Sequence, residues 1–167
     1  MTEIFIGLGS NLGDSVAHLV AARSALDQLA NSRITAVSSL YRSAPIGPQD
    51  QADFFNAVIR LTSDLAPAAL LAALQQIEQQ AGRVRTRHWG ERTLDLDILL
   101  YGERVLDQAD LCIPHPRLHE RAFVLLPLLE IAADLHLPNG QPLQSYCAAV
   151  SHQSICRHDD ERWSALP

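Results

Sequence analysis

Lysine is missing from this sequence: all thirteen basic residues are arginine. That absence excludes a Schiff-base lysine and the lysine of a phosphate-binding Walker loop. A cationic excess is missing too. The formal net charge is −6, which argues against general nucleic-acid binding. No apolar run reaches the ~18 residues that a membrane helix requires, and Met1-Thr2-Glu3-Ile4 does not open a signal peptide. Cysteine is scarce. Cys112, Cys147 and Cys156 are odd in number and lack Cys-x-x-Cys spacing, so they read as small buried apolar side chains in a reducing compartment. The expectation is a soluble cytoplasmic domain, with neither nucleic acid nor membrane as partner.

What is present is a chain of 167 residues, 47% hydrophobic and 19% charged, which suits a single domain over residues 1–167. A chain of this size buries roughly two thirds of its unfolded surface, so its core needs no disulfide or metal. The arginines are unevenly spread: Arg83, Arg85, Arg87 and Arg92 fall close together. A cationic cluster in an acidic protein points to a specific anion.

The pattern of elements predicts an α+β fold. Residues 3–8 read as a buried strand ended by Gly9-Ser10-Asn11, and Asp14 or Ser15 caps a helix with Val16, Leu19, Val20 and Leu26 on one stripe. Residues 34–41 and 54–62 form strands of an antiparallel hairpin, joined by the proline-bearing loop 43–53, which is long enough to suggest a function. Pro67 opens a second helix that Gly82 stops. The arginine loop 83–93 follows, then a strand over 94–101, which Gly102-Glu103 turns back into Arg104–Asp107. Short helical pieces broken by Pro127 and Pro138 come next, and the C-terminal extension after about residue 145 carries no usable motif. The order βαββαβ is the ferredoxin-like sandwich, an antiparallel sheet with two helices on one face.

Two motifs mislead. Gly7-Leu8-Gly9-Ser10-Asn11-Leu12-Gly13 resembles a dinucleotide fingerprint, but its third glycine is one residue late and the next strand ends in Arg42 rather than an acid. His119-Glu120 resembles a zinc-protease helix, but Phe123 stands where the second histidine belongs.

The informative run is Arg92-Thr93-Leu94-Asp95-Leu96-Asp97-Ile98. Alternation along a strand puts Asp95 and Asp97 on one face, with Cα atoms roughly 6–7 Å apart, and Leu94, Leu96 and Ile98 on the other. Two carboxylates side by side in an apolar strand repel and lose solvation unless a cation compensates. Hard oxygen ligands favour Mg²⁺ over zinc. With the arginine loop immediately upstream, the set describes a phosphoryl-transfer site that holds a nucleotide polyphosphate. Phe54-Phe55-Asn56 adds aromatic faces and an amide suited to the edge of a flat heterocycle. A metal-holding regulatory module without turnover and a metal-dependent nucleotide hydrolase are the competing readings.

Gly9-Ser10-Asn11-Leu12, Tyr41-Arg42-Ser43, Gly47-Pro48, Phe54-Phe55-Asn56, Glu78, Gly82-Arg83-Val84-Arg85, Trp89-Gly90, Arg92-Thr93-Leu94-Asp95-Leu96-Asp97 and Pro114-His115-Pro116 together resemble the hydroxymethyldihydropterin pyrophosphokinase family, in order from about residue 3 to residue 138. The resemblance implies transfer of pyrophosphate from ATP to 6-hydroxymethyl-7,8-dihydropterin, with release of AMP, in folate biosynthesis. It implies two Mg²⁺ ions on Asp95 and Asp97, and Arg83 and Arg92 acting on the triphosphate. It further implies ATP contacts at Glu78, Arg85, Trp89, Ile98, His115 and Arg121. The pterin pocket would comprise Ser43, Ala44, Ile46, Phe54, Asn56 and Phe123, with the two phenylalanines sandwiching the ring. Glu91 departs from the family, which usually has proline there. Ser43 and Ala44 replace a common threonine and proline.

Overall fold

A computed structural model describes residues 1–45, 47, 49–82 and 93–164. Strand β1 (Thr2–Ser10) runs into helix α1 (Ser15–Asp27), whose N-cap is Asp14, with its carboxylate accepting from Ala17 N at 3.2 Å. Strands β2 (Ser32–Val37), β3 (Leu40–Ser43) and β4 (Phe54–Ser63) follow. Helix α2 (Pro67–Gln80) begins on proline and ends before Gly82, whose φ is +80°. Strand β5 (Asp95–Tyr101) completes the predicted order, and the sheet runs β5-β1-β4-β3, antiparallel throughout, with β2 also paired to β4. This is the expected ferredoxin-like α+β arrangement. Among the described residues, no helix is long and apolar enough to cross a membrane.

Alternation divides the sheet into two faces. Ile4, Ile6 and Leu8 of β1, Ala57, Ile59 and Leu61 of β4, and Leu96 and Ile98 of β5 pack under α1 and α2 with Leu19, Leu26, Leu70 and Leu74. The opposite face carries Phe5, Val58 and Leu99, covered by helix α3 (Ala122–Ile131) through Ala122, Val124, Leu125 and Leu128. The residues covered in this way lie toward the start of β1. The part of that face where β1 ends holds the site.

Four expectations are corrected, and the C-terminal extension, for which the sequence offered no motif, is given a place. The predicted strand 34–41 is two strands. The chain uses four residues from Val37 to Tyr41 where β4 uses three from Ile59 to Asn56, because Val37 faces Ile59 and Tyr41 faces Asn56. Ser38 sits at this bulge, where its hydroxyl accepts from Val58 N at 2.9 Å and so takes a backbone role. The extra residue moves Tyr41 to the face opposite Val37. Arg104–Asp107 does not return beside β5; strand β6 (Leu106–Asp107) pairs instead with β7 (Cys112–Ile113). Pro127 does not break its helix, since α3 runs through it. A helix-interior proline costs about 3 kcal/mol, and burial of Leu125 and Leu128 outweighs this at about 1.5–3 kcal/mol each. The C-terminal extension is structural: β8 (Ile155–His158) joins the sheet beside β3, and Trp163 of the short helix α4 (Glu161–Ser164) enters the core. The cysteines are free but not fully buried, Cys112 and Cys147 being half-buried and Cys156 exposed.

Candidate active site

The centre of the open face is one rank of residues across four strands. Tyr41 faces Asn56, Asn56 faces Gly9, and Gly9 faces Asp95. Two residues along, Gly7 faces Asp97. Directly opposed residues of antiparallel strands share a face, so both carboxylates stand beside positions of β1 that carry no side chain. The half-buried acids therefore open onto bare backbone. The sequence presented Gly7 and Gly9 in a false dinucleotide fingerprint, and Gly9 also as the end of the first strand and part of the Gly9-Ser10-Asn11-Leu12 motif. Glycine at alternate strand positions also signals close approach of a ligand to the sheet, and that signal was available.

Asn56 is 8% exposed and its Oδ1 has no hydrogen-bond partner among the described residues, while its Nδ2 donates to Leu8 O at 3.4 Å. A buried amide oxygen left unpaired is costly and calls for a donor from water or a ligand. Beside this rank is a cavity of about 260 Å³ that brings together Ser43, Ala44 and Phe123 of the predicted pterin residues with Ala122, Gln153, Ser154 and Ile155. Phe54 is on β4 two residues before Asn56, opposite Ser43, and so shares their face. Gln153 was not legible as a site residue. Its Oε1 accepts from Ala122 N and its Nε2 donates to Glu120 O, both at 2.8 Å, which fixes the start of α3 at the cavity wall.

Arg121 precedes α3, with its guanidinium 5.4 Å from the Phe123 ring centroid. Burial loosens its hold on its proton, and the neighbouring Asp97 and Asp95 carboxylates oppose this. The fold thus brings Arg121 close to both acids and to an aromatic wall. His115 N donates to Leu99 O at 2.9 Å, tying its turn to β5. Its Nδ1 accepts from Arg117 N at 3.1 Å, so a neutral ring carries its proton on Nε2. Burial, then the Arg121 charge, push the His115 pKa below its ordinary value, against a smaller pull from Asp95.

Two predicted residues are not brought to the acid face. The Ile98 side chain is 3% exposed in the core under the helices, as alternation demands. Glu78 is 6% exposed on α2, and its Oε2 accepts from Leu96 N at 2.9 Å, the amide between the two aspartates. The turn after β1 is linked to the residues that precede β4: Asn11 Nδ2 donates to Gln51 Oε1 at 2.8 Å and to Ala52 O at 3.0 Å. Arg83, Arg85, Trp89, Arg92 and Ile46, together with Glu91, lie outside the described residues.

A family model described as 7,8-dihydro-6-hydroxymethylpterin-pyrophosphokinase matches residues 5–133. The 2-amino-4-hydroxy-6-hydroxymethyldihydropteridine pyrophosphokinase of Haemophilus influenzae is 53% identical over 141 residues, 84% of this chain and 88% of that protein. Its namesake from Pseudomonas aeruginosa is 49% identical over 155 residues, 93% of this chain and 96% of that protein. Among solved structures, wild-type Plasmodium falciparum HPPK-DHPS with pteroate matches with a TM-score of 0.69 at 14% identity, over 90% of this chain and 42% of that one. This chain spans less than half of that longer protein, and the likeness is one of fold.

Proposed function

The chain belongs to the 7,8-dihydro-6-hydroxymethylpterin-pyrophosphokinase family, and from that premise we propose that it transfers the diphosphoryl group of ATP to 6-hydroxymethyl-7,8-dihydropterin, releasing AMP, in folate biosynthesis. The observation that carries this reading is the rank Asn56–Gly9–Asp95, with an unpaired buried amide oxygen at one end and the acid pair at the other. Adjacent strands are ~4.8 Å apart, so roughly 10 Å separates the two ends. A bicyclic heterocycle spans that gap, with an N–H edge at Asn56 and its hydroxymethyl arm at the acids.

In this reading the pterin hydroxyl oxygen attacks the β-phosphorus of ATP. The new O–Pβ bond forms as the bridge between Pα and Pβ breaks, and AMP departs with the bridging oxygen. Asp97 takes the hydroxyl proton. Phe54 and Phe123 hold the ring, Ser43, Ala44 and Ile46 line its pocket, and Asn56 reads its edge. His115 offers its Nε2–H, and Arg121 its guanidinium, to phosphate oxygens. Arg85 and Trp89 complete the nucleotide side, with Arg83 and Arg92 on the triphosphate, while Glu78 holds the strand that carries the acids through the Leu96 amide. Asp95 and Asp97 provide only oxygen donors, which fits a hard cation whose remaining ligands are water and phosphate. Two Mg²⁺ ions held there would neutralise polyphosphate charge and favour the displacement. The acting unit is a monomeric single domain over residues 1–167 in the cytoplasm, a setting that suits its free cysteines.

The test is AMP release from ATP and Mg²⁺ with and without 6-hydroxymethyl-7,8-dihydropterin. AMP is expected only when the pterin is present. Phosphate products from ATP alone would favour a hydrolase, and no product from a folded, ATP-binding protein would favour a sensor.

A further inference from the structure

We infer that Gly9 is a positioning residue for the acceptor: its missing side chain keeps the Asn56 amide in place to read the pterin edge. This inference rests on the function proposed above and adds a residue that sets acceptor recognition without touching the reacting atoms.

The geometry is specific to one atom. A Cβ built on Gly9 would lie 2.7 Å from Asn56 Nδ2, closer than non-bonded atoms approach, and its other neighbours would be 3.8 Å away or farther. The conflict is thus with the tip of a side chain rather than with backbone, and the tip would move. Gly9 is a mid-sheet residue paired on both sides, with Asn56 and Asp95, and it is not among the residues with positive φ. Backbone strain therefore does not require glycine here, and close approach does. Asn56 has little to hold it against a push. Among the described residues its side chain makes one hydrogen bond, Nδ2 to Leu8 O, which is long at 3.4 Å, and its Oδ1 makes none. An alanine at position 9 would displace the amide from the place it occupies over Gly9.

Gly7 is different. The three described atoms nearest to a Cβ there belong to the Leu99 side chain, at 3.4–3.6 Å, which is ordinary contact. Of the two glycines opposite the acids, Gly9 alone is tied to the residue that reads the acceptor.

The experiment is a double-mutant cycle on Gly9→Ala and Asn56→Ala, read by equilibrium binding of 6-hydroxymethylpterin in the presence of Mg²⁺ and a non-hydrolysable ATP analogue. Binding of the ATP analogue alone and thermal unfolding are measured in parallel. Gly9→Ala is expected to weaken pterin binding about tenfold or more and to leave analogue binding within about twofold. In the Asn56→Ala background, Gly9→Ala is expected to add less than about threefold, since the atom it would displace is gone. Pterin binding by Gly9→Ala within twofold of the wild type would overturn the inference, as would losses that multiply in the double variant. If Gly9→Ala alone unfolds, a double variant as stable as Asn56→Ala still locates the conflict at Asn56, and a double variant that also unfolds overturns it. Wild-type protein that binds the ATP analogue but no pterin would overturn the proposed function itself, an outcome separable from all of these.

Discussion

At the residue scale, His115 shows how backbone geometry fixes the chemistry of a side chain. Its Nδ1 is occupied by Arg117 N–H, which leaves the Nε2–H as the group it can present to a phosphate oxygen. Glutamine places an amide N–H near the Nε2 position, whereas asparagine reaches only as far as Nδ1. His115→Gln is therefore expected to keep ATP-analogue affinity within a few fold. His115→Asn is expected to lose about tenfold, the value of roughly one hydrogen bond to a charged group. Equal losses in a binding titration would refute the tautomer assignment. The same residue gives a pH dependence. Its pKa is lower in the fold than in the unfolded chain, mainly through burial and then the Arg121 charge. Between the two values the unfolded chain binds the extra proton, so stability is complete above about pH 6.5 and falls as acidity passes through the folded value. Urea midpoints at pH 7 and pH 5 should differ less for His115→Gln than for the wild type.

At the scale of elements, the acid pair depends on an edge strand that is tied down from below. Among the described residues β5 pairs with β1 alone, and the Leu96 N–H between the two aspartates is satisfied by Glu78 of α2. Glu78→Ala would leave that buried amide without its acceptor, a cost of about 1–3 kcal/mol. Glu78→Gln keeps an oxygen there and should cost less than half as much in urea unfolding. Equal costs would assign the effect to charge instead. The elements also show how far the sequence could be read. The Asp14 cap, the proline that opens α2, the Gly82 stop and the alternation at Asp95 and Asp97 are local signals, and each was legible. The bulge at Ser38 was not, because it answers to Val58 on another strand. Nor was α3 legible through Pro127, because what sustains it is burial against Phe5, Val58 and Leu99, residues distant in sequence. Asn56 could be read as an edge-reading amide, whereas its unpaired oxygen and its dependence on Gly9 required the register of three strands.

At the scale of the whole molecule, the C-terminal extension acts as a clasp. β8 lies against β3, whose other neighbour is β4, the strand that carries Asn56. Arg162 reaches Asp14 at the head of α1 at 2.8 Å and also pairs with Asp160. These ion pairs are exposed and contribute little alone. Trp163 contributes more. It is 5% exposed, its Nε1–H donates to Ser38 O at 2.9 Å, its carbonyl accepts from Arg23 at 3.2 Å, and the Arg23 guanidinium sits 5.2 Å from its ring. One side chain thus joins α1, the Ser38 bulge and the end of the chain, on the helix side of the sheet. Trp163→Ala is expected to cost about 3–5 kcal/mol, as for other buried tryptophans, and to lower the Tm by roughly 10 °C for a domain of this length. Because Trp163 packs on the face opposite Asn56 and the acids, the pterin KM measured well below the lowered Tm should stay within about twofold of the wild type. A raised KM without loss of stability would mean that the extension belongs to the acceptor site, through the Gln153 wall, rather than holding the sheet on which that site is built.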